Sequence, residues 1–170
     1  YKRQKIGEPW HLFSRKPEAK AVHWRSSNYA LYGDMSRRVY DVLAARVPAV
    51  EPYSIDEMFL DLTGIAGLVE FCRALRRDVR QIAKIPTCVG IGPSKTLAKL
   101  ANRIAKNTPS LEGVCDLRCP ADRAAWFPRL PVANVWGIGS QAAAKLAAKG
   151  IETIADFVAC DAQAVRDLLG

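Results

Sequence analysis

The hydrophobic period of this chain switches back and forth between helical and extended spacing, and that alternation limits the fold more than any single motif. Leu31, Met35, Val39, Val42 and Leu43 recur at helical spacing, and Pro48 ends the run. From Val50 to Leu62 the texture is that of a strand. Tyr53 and Ile55 alternate before a polar break, and Met58, Leu60 and Leu62 alternate after it, up to Thr63-Gly64. Leu68, Phe71, Leu75, Val79 and Ile82 form a second helical stripe, followed by Pro86 and an apolar strand over Thr87–Ile91. Gly92-Pro93-Ser94 opens a third helix that reaches about Lys106, with Ser94 as its N-cap, and Gly113–Leu117 reads as one more strand. Helix, strand pair, helix, strand, helix, strand predicts a layered α/β or α+β sheet with helices on one face.

The pattern changes after residue 117. Pro120 to Pro131 reads as a connector with a helical piece over Ala121–Trp126. Beyond Pro131 the texture is helical, punctuated by Gly137, Gly139 and Gly150, so a domain boundary is expected near residues 118–120. At 170 residues and 18.7 kDa, a compact fold would expose about 8,000 Å², against roughly 27,000 Å² for the extended chain, enough for a core without staples. No apolar window is long enough to span a membrane, and no basic-then-apolar leader opens the sequence. The first residue is Tyr1 rather than Met, which raises the expectation of a processed or truncated product.

Lysine plus arginine number 25 against 17 acidic residues, a net charge of +8, which favours polyanionic partners. Seven cations and two anions fall within residues 1–25, beginning with Lys2, Arg3 and Lys5. The five cysteines are odd in number and lack a secretory context, which fits reduced thiols. Cys115 and Cys119 are spaced C-x3-C, but no second Cys/His pair follows, so small buried hydrophobes describe these residues better than zinc ligands.

Three segments carry chemistry. Ser54-Ile55-Asp56-Glu57 interrupts an apolar pattern with adjacent carboxylates. In a tight turn at a sheet edge both can converge, and such hard oxygens suit Mg²⁺; a plain polar hairpin turn explains the same residues. Asp61 lies about 13 Å further along a strand, too far to share that ion. In the third helix Lys95, Lys99, Arg103 and Lys106 fall at about 0°, 40°, 80° and 20° around the axis, a cationic stripe opposite Leu97, Leu100, Ala101 and Ile104. Like charges at this spacing repel, and an anionic partner would relieve them; a solvated helix face is the simpler alternative. The segment before it fails the nucleotide-loop pattern, because Ser94 rather than Gly precedes Lys95. Finally, Trp136-Gly137-Ile138-Gly139 leads into Ser140–Lys149, with Ser140 as a candidate cap, Gly150 as the stop, and Thr153 with Asp156 as a capping box. This reads as a helix-hairpin-helix that grips nucleic-acid backbone; a packing turn between helices is the alternative.

Three motifs stand in one order: Tyr53-Ser54-Ile55-Asp56-Glu57, then Gly90-Ile91-Gly92-Pro93-Ser94-Lys95-Thr96 with Leu97-Ala98-Lys99, then Val135–Gly139. Together with Ser27–Ser36 and Phe59–Gly64 they resemble the Y-family translesion DNA polymerases, most like the UmuC-type catalytic subunits, over essentially the whole chain. The resemblance implies an α+β fold: a palm of ferredoxin-like topology over residues 26–117 and a small helical thumb from residue 118 to 170. Residues 1–25 would be the end of the fingers. It implies that Asp56 and Glu57 are catalytic and ligate Mg²⁺, two ions in a complete enzyme. Lys106 and Lys99 would bind the nucleotide, and Lys95, Arg103, Gly137, Ile138, Gly139, Ser140 and Lys145 the DNA. Primer-template DNA and dNTP are the implied partners, with a UmuD′-type accessory subunit, a RecA filament and a sliding clamp. An SOS-type repair setting in a bacterial cytoplasm, near the nucleoid, is also implied, and no membrane. One departure matters. The family's D-x-N-x-F-Y segment, which carries its first metal-binding Asp, has no counterpart here, so these 170 residues are expected to be inactive alone. A non-catalytic DNA-binding module is the competing reading.

Overall fold

A computed structural model describes residues 7–170. Lys2, Arg3 and Lys5 of the basic amino-terminal segment lie outside the described residues. The elements run α1 (Trp10–Phe13), α2 (Tyr29–Ala44), β1 (Ala49–Pro52), β2 (Met58–Asp61), α3 (Leu68–Ile82), β3 (Val89–Ile91), α4 (Lys95–Asn107) and β4 (Val114–Asp116). Then come α5 (Pro120–Trp126), α6 (Ser140–Ala147), α7 (Ile154–Ala159) and α8 (Ala162–Leu169). Ser94 caps α4 as expected, its Oγ accepting from the Leu97 amide at 3.3 Å.

The sheet departs from the expected single layer. β1 and β2 form an antiparallel hairpin with Val50 opposite Leu60, and β3 pairs in parallel with β4, Val89 opposite Val114. No described strand joins the two pairs. Between them lies a cleft of about 1,270 Å³, lined by β2, β3 and residues of α2 such as Met35 and Val39. The accessible surface is 11,839 Å², well above the roughly 8,000 Å² expected of a compact chain of this mass. The split sheet and its open cleft account for part of the excess. The first strand is also shorter than its alternation suggests. It ends at Pro52, and Tyr53 and Ile55 sit exposed in a loop closed by the Tyr53 and Ser54 amides, which both donate to the Glu57 carbonyl at 3.0 Å.

Helices cover the sheets with narrower stripes than the spacing implies. Leu68, Cys72, Leu75 and Val79 of α3 are buried, but Ile82 at its end is exposed, as is Leu31 at the start of α2. α4 packs directly on β3. Gly90 and Gly92 allow this, because a Cβ at either position would strike the α4 backbone. The Asn102 side-chain amide seals the contact by donating to the Cys88 carbonyl at 2.7 Å. Arg76 of α3 ties the entrances of both parallel strands together, donating to the Thr87 carbonyl at 2.6 Å and to the Glu112 carbonyl. The largest buried cluster joins Leu100, Ala101 and Ile104 of α4 with Cys115, Leu117 and Ile154, so the core is continuous across residues 118–120.

Cys72 and Cys115 lie in these cores, and burial pushes both thiols up to about 11, with the Asp116 carboxylate adding to the shift. Cys119 is exposed at the start of α5. At pH 8 iodoacetamide is therefore expected to label Cys119 while sparing Cys72 and Cys115 in the folded chain, because the thiolate is the nucleophile. Peptide mapping after a short pulse checks this, and equal labelling of the three would refute it.

Candidate functional site

The hairpin loop and the cationic face of α4 meet across the cleft. Asp56 and Glu57 are both exposed, but their side chains are held differently. The Ser54 hydroxyl donates to Asp56 Oδ1 at 2.8 Å, keeping that carboxylate within its own loop. Glu57 reaches α4, where Lys99 Nζ donates to its Oε2 at 3.0 Å. One turn earlier, Lys95 Nζ donates to both oxygens of Glu51, at 2.5 and 2.6 Å. Two of the four cations of the stripe thus pair with carboxylates of the chain itself. Arg103 and Lys106 complete the stripe; both are exposed, and neither is in an ion pair among the described residues.

Aromatic rings frame these lysines. Tyr53, Phe59 and Trp136 form a cluster, with Tyr53 edge-on to Trp136 at 5.3 Å and to Phe59 at 5.6 Å. Lys99 Nζ lies 4.9 Å from the Tyr53 ring centroid and 4.8 Å from that of Trp136, and Lys95 Nζ lies 5.1 Å from that of Phe59. These are cation–π distances. Glu51, Phe59 and Trp136 therefore belong to the site, although none of them is a candidate site residue by sequence. Only Trp136 had a local signal, its place beside the glycine turn.

That turn is built as follows. A 3₁₀ turn over Val132–Asn134, rather than an α-helix, precedes it, and Gly137 adopts φ +97°, open to glycine at little cost. The cap of α6 differs from expectation. Gly139 is the N-cap and Ser140 the first helical residue, and no side chain accepts from the first-turn amides. Those donors remain exposed to an incoming acceptor. Gly137, Gly139, Ser140 and Lys145 are exposed, and Ile138 is half-buried. Gly150 stops α6 at φ +77°, its amide donating to Ala147 and that of Ile151 to Leu146, as expected of a glycine C-terminus.

The Thr153–Asp156 capping box is present. The Asp156 amide donates to Thr153 Oγ1 at 3.1 Å, and the Thr153 amide and hydroxyl each donate to Asp156 Oδ2 at 2.8 Å; the two bonds from Thr153 hold the Asp156 carboxyl below its usual range. It fixes the segment that accepts the Val132 amide at the Glu152 carbonyl, 2.8 Å away, and so steadies the base of the turn. Thr153→Ala is expected to cost about 1 kcal/mol, measured as a lowered urea midpoint at unchanged slope.

Among the described residues, no group of three or more His, Cys, Asp or Glu side chains gathers to hold a metal ion unaided. Asp56 and Glu57 still offer hard oxygens on an exposed loop. That donor set fits Mg²⁺ as commonly bound, through one or two carboxylates with water and substrate phosphates. Asp61 is engaged elsewhere, since the Thr63 hydroxyl and amide hold its carboxyl low. No described helix is long and apolar enough to cross a membrane.

Comparison with known proteins gives a consistent answer. Residues 2–103 match the impB/mucB/samB family. The chain is 40% identical to Protein ImpB of Salmonella typhimurium over 169 residues, covering 95% of this chain and 39% of that protein. It is 42% identical to Protein UmuC of Salmonella typhimurium strain LT2 over 155 residues, covering 89% and 37%. The chain thus spans about two-fifths of the length of these curated relatives. Among solved structures, the insertion ternary complex of Dbh DNA polymerase superposes with a TM-score of 0.79 at 25% identity, covering 99% of this chain and 48% of that one. DinB from Sulfolobus solfataricus does so with a TM-score of 0.79, covering 99% and 49%. These matches agree: the chain belongs to the impB/mucB/samB family and has the fold of Y-family DNA polymerases.

Proposed function

We propose that this chain is the palm and part of the thumb of a translesion DNA polymerase, with residues 26–117 as palm, residues 118–170 as thumb and residues 1–25 as the end of the fingers. The observation that carries the reading is the acidic loop Asp56-Glu57 facing the cationic stripe of α4 across an open cleft. Asp56 and Glu57 would hold Mg²⁺. Bound there, the metal supplies charge neutralisation to the triphosphate and lowers the pKa of the primer hydroxyl. Lys106, exposed and not in an ion pair among the described residues, is the residue we assign to the triphosphate, with Lys99 beside it. The uncapped amino terminus of α6, with Gly137, Ile138, Gly139, Ser140 and Lys145, would seat a DNA phosphate as a helix-hairpin-helix does. Lys95 and Arg103 would add charge along the same path, giving salt-dependent affinity without base reading.

In this reading the cleft between β2 and β3 is the place for a strand carrying the D-x-N-x-F-Y segment. The 170 residues alone would therefore bind DNA but not extend a primer. An SOS setting, damaged-template synthesis and contacts with a UmuD′-type subunit, a RecA filament and a sliding clamp belong to the same proposal. Primer extension past an abasic site tests it, comparing the 170-residue chain with a longer polypeptide that joins it to such a strand. Extension by the longer protein alone is expected. Extension by neither, with DNA binding intact, would favour the DNA-binding module instead.

A further inference from the structure

Lys99 occupies an unusual place. Its ammonium meets one oxygen of Glu57 and the faces of Tyr53 and Trp136, and its side chain is 23% exposed. The three partners come from separate segments. Glu57 closes the acidic loop, Tyr53 leaves β1, and Trp136 stands directly before Gly137-Ile138-Gly139. One cation therefore fastens the acidic loop and the glycine turn to the same side of α4. Lys95, one turn away, does nothing comparable, for its partners Glu51 and Phe59 both lie on the hairpin.

We propose that Lys99 is a positioning residue that acts as an internal counter-cation: it holds Glu57 while no metal is present, and a divalent cation arriving at Asp56 and Glu57 displaces it, loosening Trp136 and the glycine turn. The inference rests on the assignment of Asp56 and Glu57 as metal-binding residues. Two cations cannot share one exposed carboxylate without repulsion, and the ammonium has already lost part of its water to the rings. Displacement would leave Lys99 free for phosphate and would couple metal arrival to the segment assigned to DNA backbone. Glu57 and Trp136 are far apart in sequence, so coupling between them runs through Lys99, through the Tyr53 and Phe59 rings that touch Trp136 directly, or through bulk charge, and the Lys99 variants separate the first route from the others.

The test is an Mg²⁺ titration of the 170-residue chain at constant ionic strength, followed by tryptophan emission. Trp136→Phe identifies which part of the signal belongs to Trp136. The wild-type emission is expected to shift with Mg²⁺, and the shift to vanish in Trp136→Phe. Lys99→Ala should begin with emission like that of Mg²⁺-saturated wild type and bind Mg²⁺ about two- to fivefold more tightly, the range of an exposed ion pair. Lys99→Met, which keeps the stem against the rings, should do the same if the alanine variant folds poorly, and Lys99→Arg should restore wild-type behaviour. Lys95→Ala removes the same charge from the same face and should change neither emission nor affinity to that extent. Equal effects of Lys95→Ala and Lys99→Ala, or a Trp136 silent to bound Mg²⁺, would overturn the latch and leave the metal site standing. An absence of Mg²⁺ binding in every variant would overturn the latch and the metal site together.

Discussion

Gly90→Ala is expected to remove most of the folded population of this chain. A Cβ at Gly90 would press into the Ala98 carbonyl oxygen and the Asn102 amide nitrogen and lie 2.8 Å from the Ala101 carbonyl carbon, all backbone of α4. No rotamer change relieves a clash with backbone, so helix and strand must separate. That movement breaks the Asn102–Cys88 hydrogen bond and opens the cluster around Leu100, Ala101 and Ile104. Overpacking alone costs roughly 1–3 kcal/mol, and an unpaired buried amide adds about 1–3 kcal/mol. The sum approaches the roughly 5–15 kcal/mol that holds a typical domain together. Gly92→Ala meets backbone too, at 2.7 Å from the Ala98 amide nitrogen, and should be nearly as damaging. Gly33→Ala is the internal contrast. It lies within α2 with nothing within 4 Å of the added carbon, so it should stabilise by about 0.5–1 kcal/mol. Urea denaturation followed by circular dichroism reads all three, and a Gly90→Ala midpoint within error of wild type would refute this account of the β3–α4 contact.

The same glycines mark where sequence stops being informative. The start of α4, its Ser94 cap and its two faces were legible because they follow from neighbours three and four residues apart. So were the Thr153–Asp156 box and the Gly150 stop. Gly90 and Gly92 invited comparison with a phosphate loop, whereas their structural role is to let a helix lie against a strand. The ion pairs Lys95–Glu51 and Lys99–Glu57 join residues 44 and 42 positions apart. Nothing local distinguishes a lysine that waits for phosphate from one already matched. The Tyr53–Phe59–Trp136 cluster is equally nonlocal, and alternation around Tyr53 wrongly suggested strand because exposed aromatics can mimic the period of buried ones. The parallel pairing of β3 with β4 is accompanied by Arg76 bridging the Thr87 and Glu112 carbonyls, again a long-range contact.

Asp56→Ala should separate catalysis from DNA binding in a polypeptide that joins these residues to a D-x-N-x-F-Y strand. Asp56 is exposed, and its side chain bonds only to Ser54 among the hydrogen bonds of the described residues, so its loss should change thermal stability little. DNA affinity should also hold, since the cations of α4 and the amides of α6 lie on other elements. Deleting one anion from a basic surface would, if anything, raise affinity slightly at low salt. Polymerisation has no such reserve. If Asp56 holds Mg²⁺ as proposed, its loss would weaken the charge neutralisation that ion would supply, and removing a single preorganised stabilising group costs about 10²–10³ in rate. With Glu57 as the remaining carboxylate of the loop, the expected loss in primer extension is about 10²–10³-fold. Single-turnover extension and gel shift on the same primer-template give the two numbers. Extension within tenfold of the parent, in protein that binds DNA normally, would remove Asp56 from the chemistry. Parallel loss of both would make it a residue of DNA seating instead.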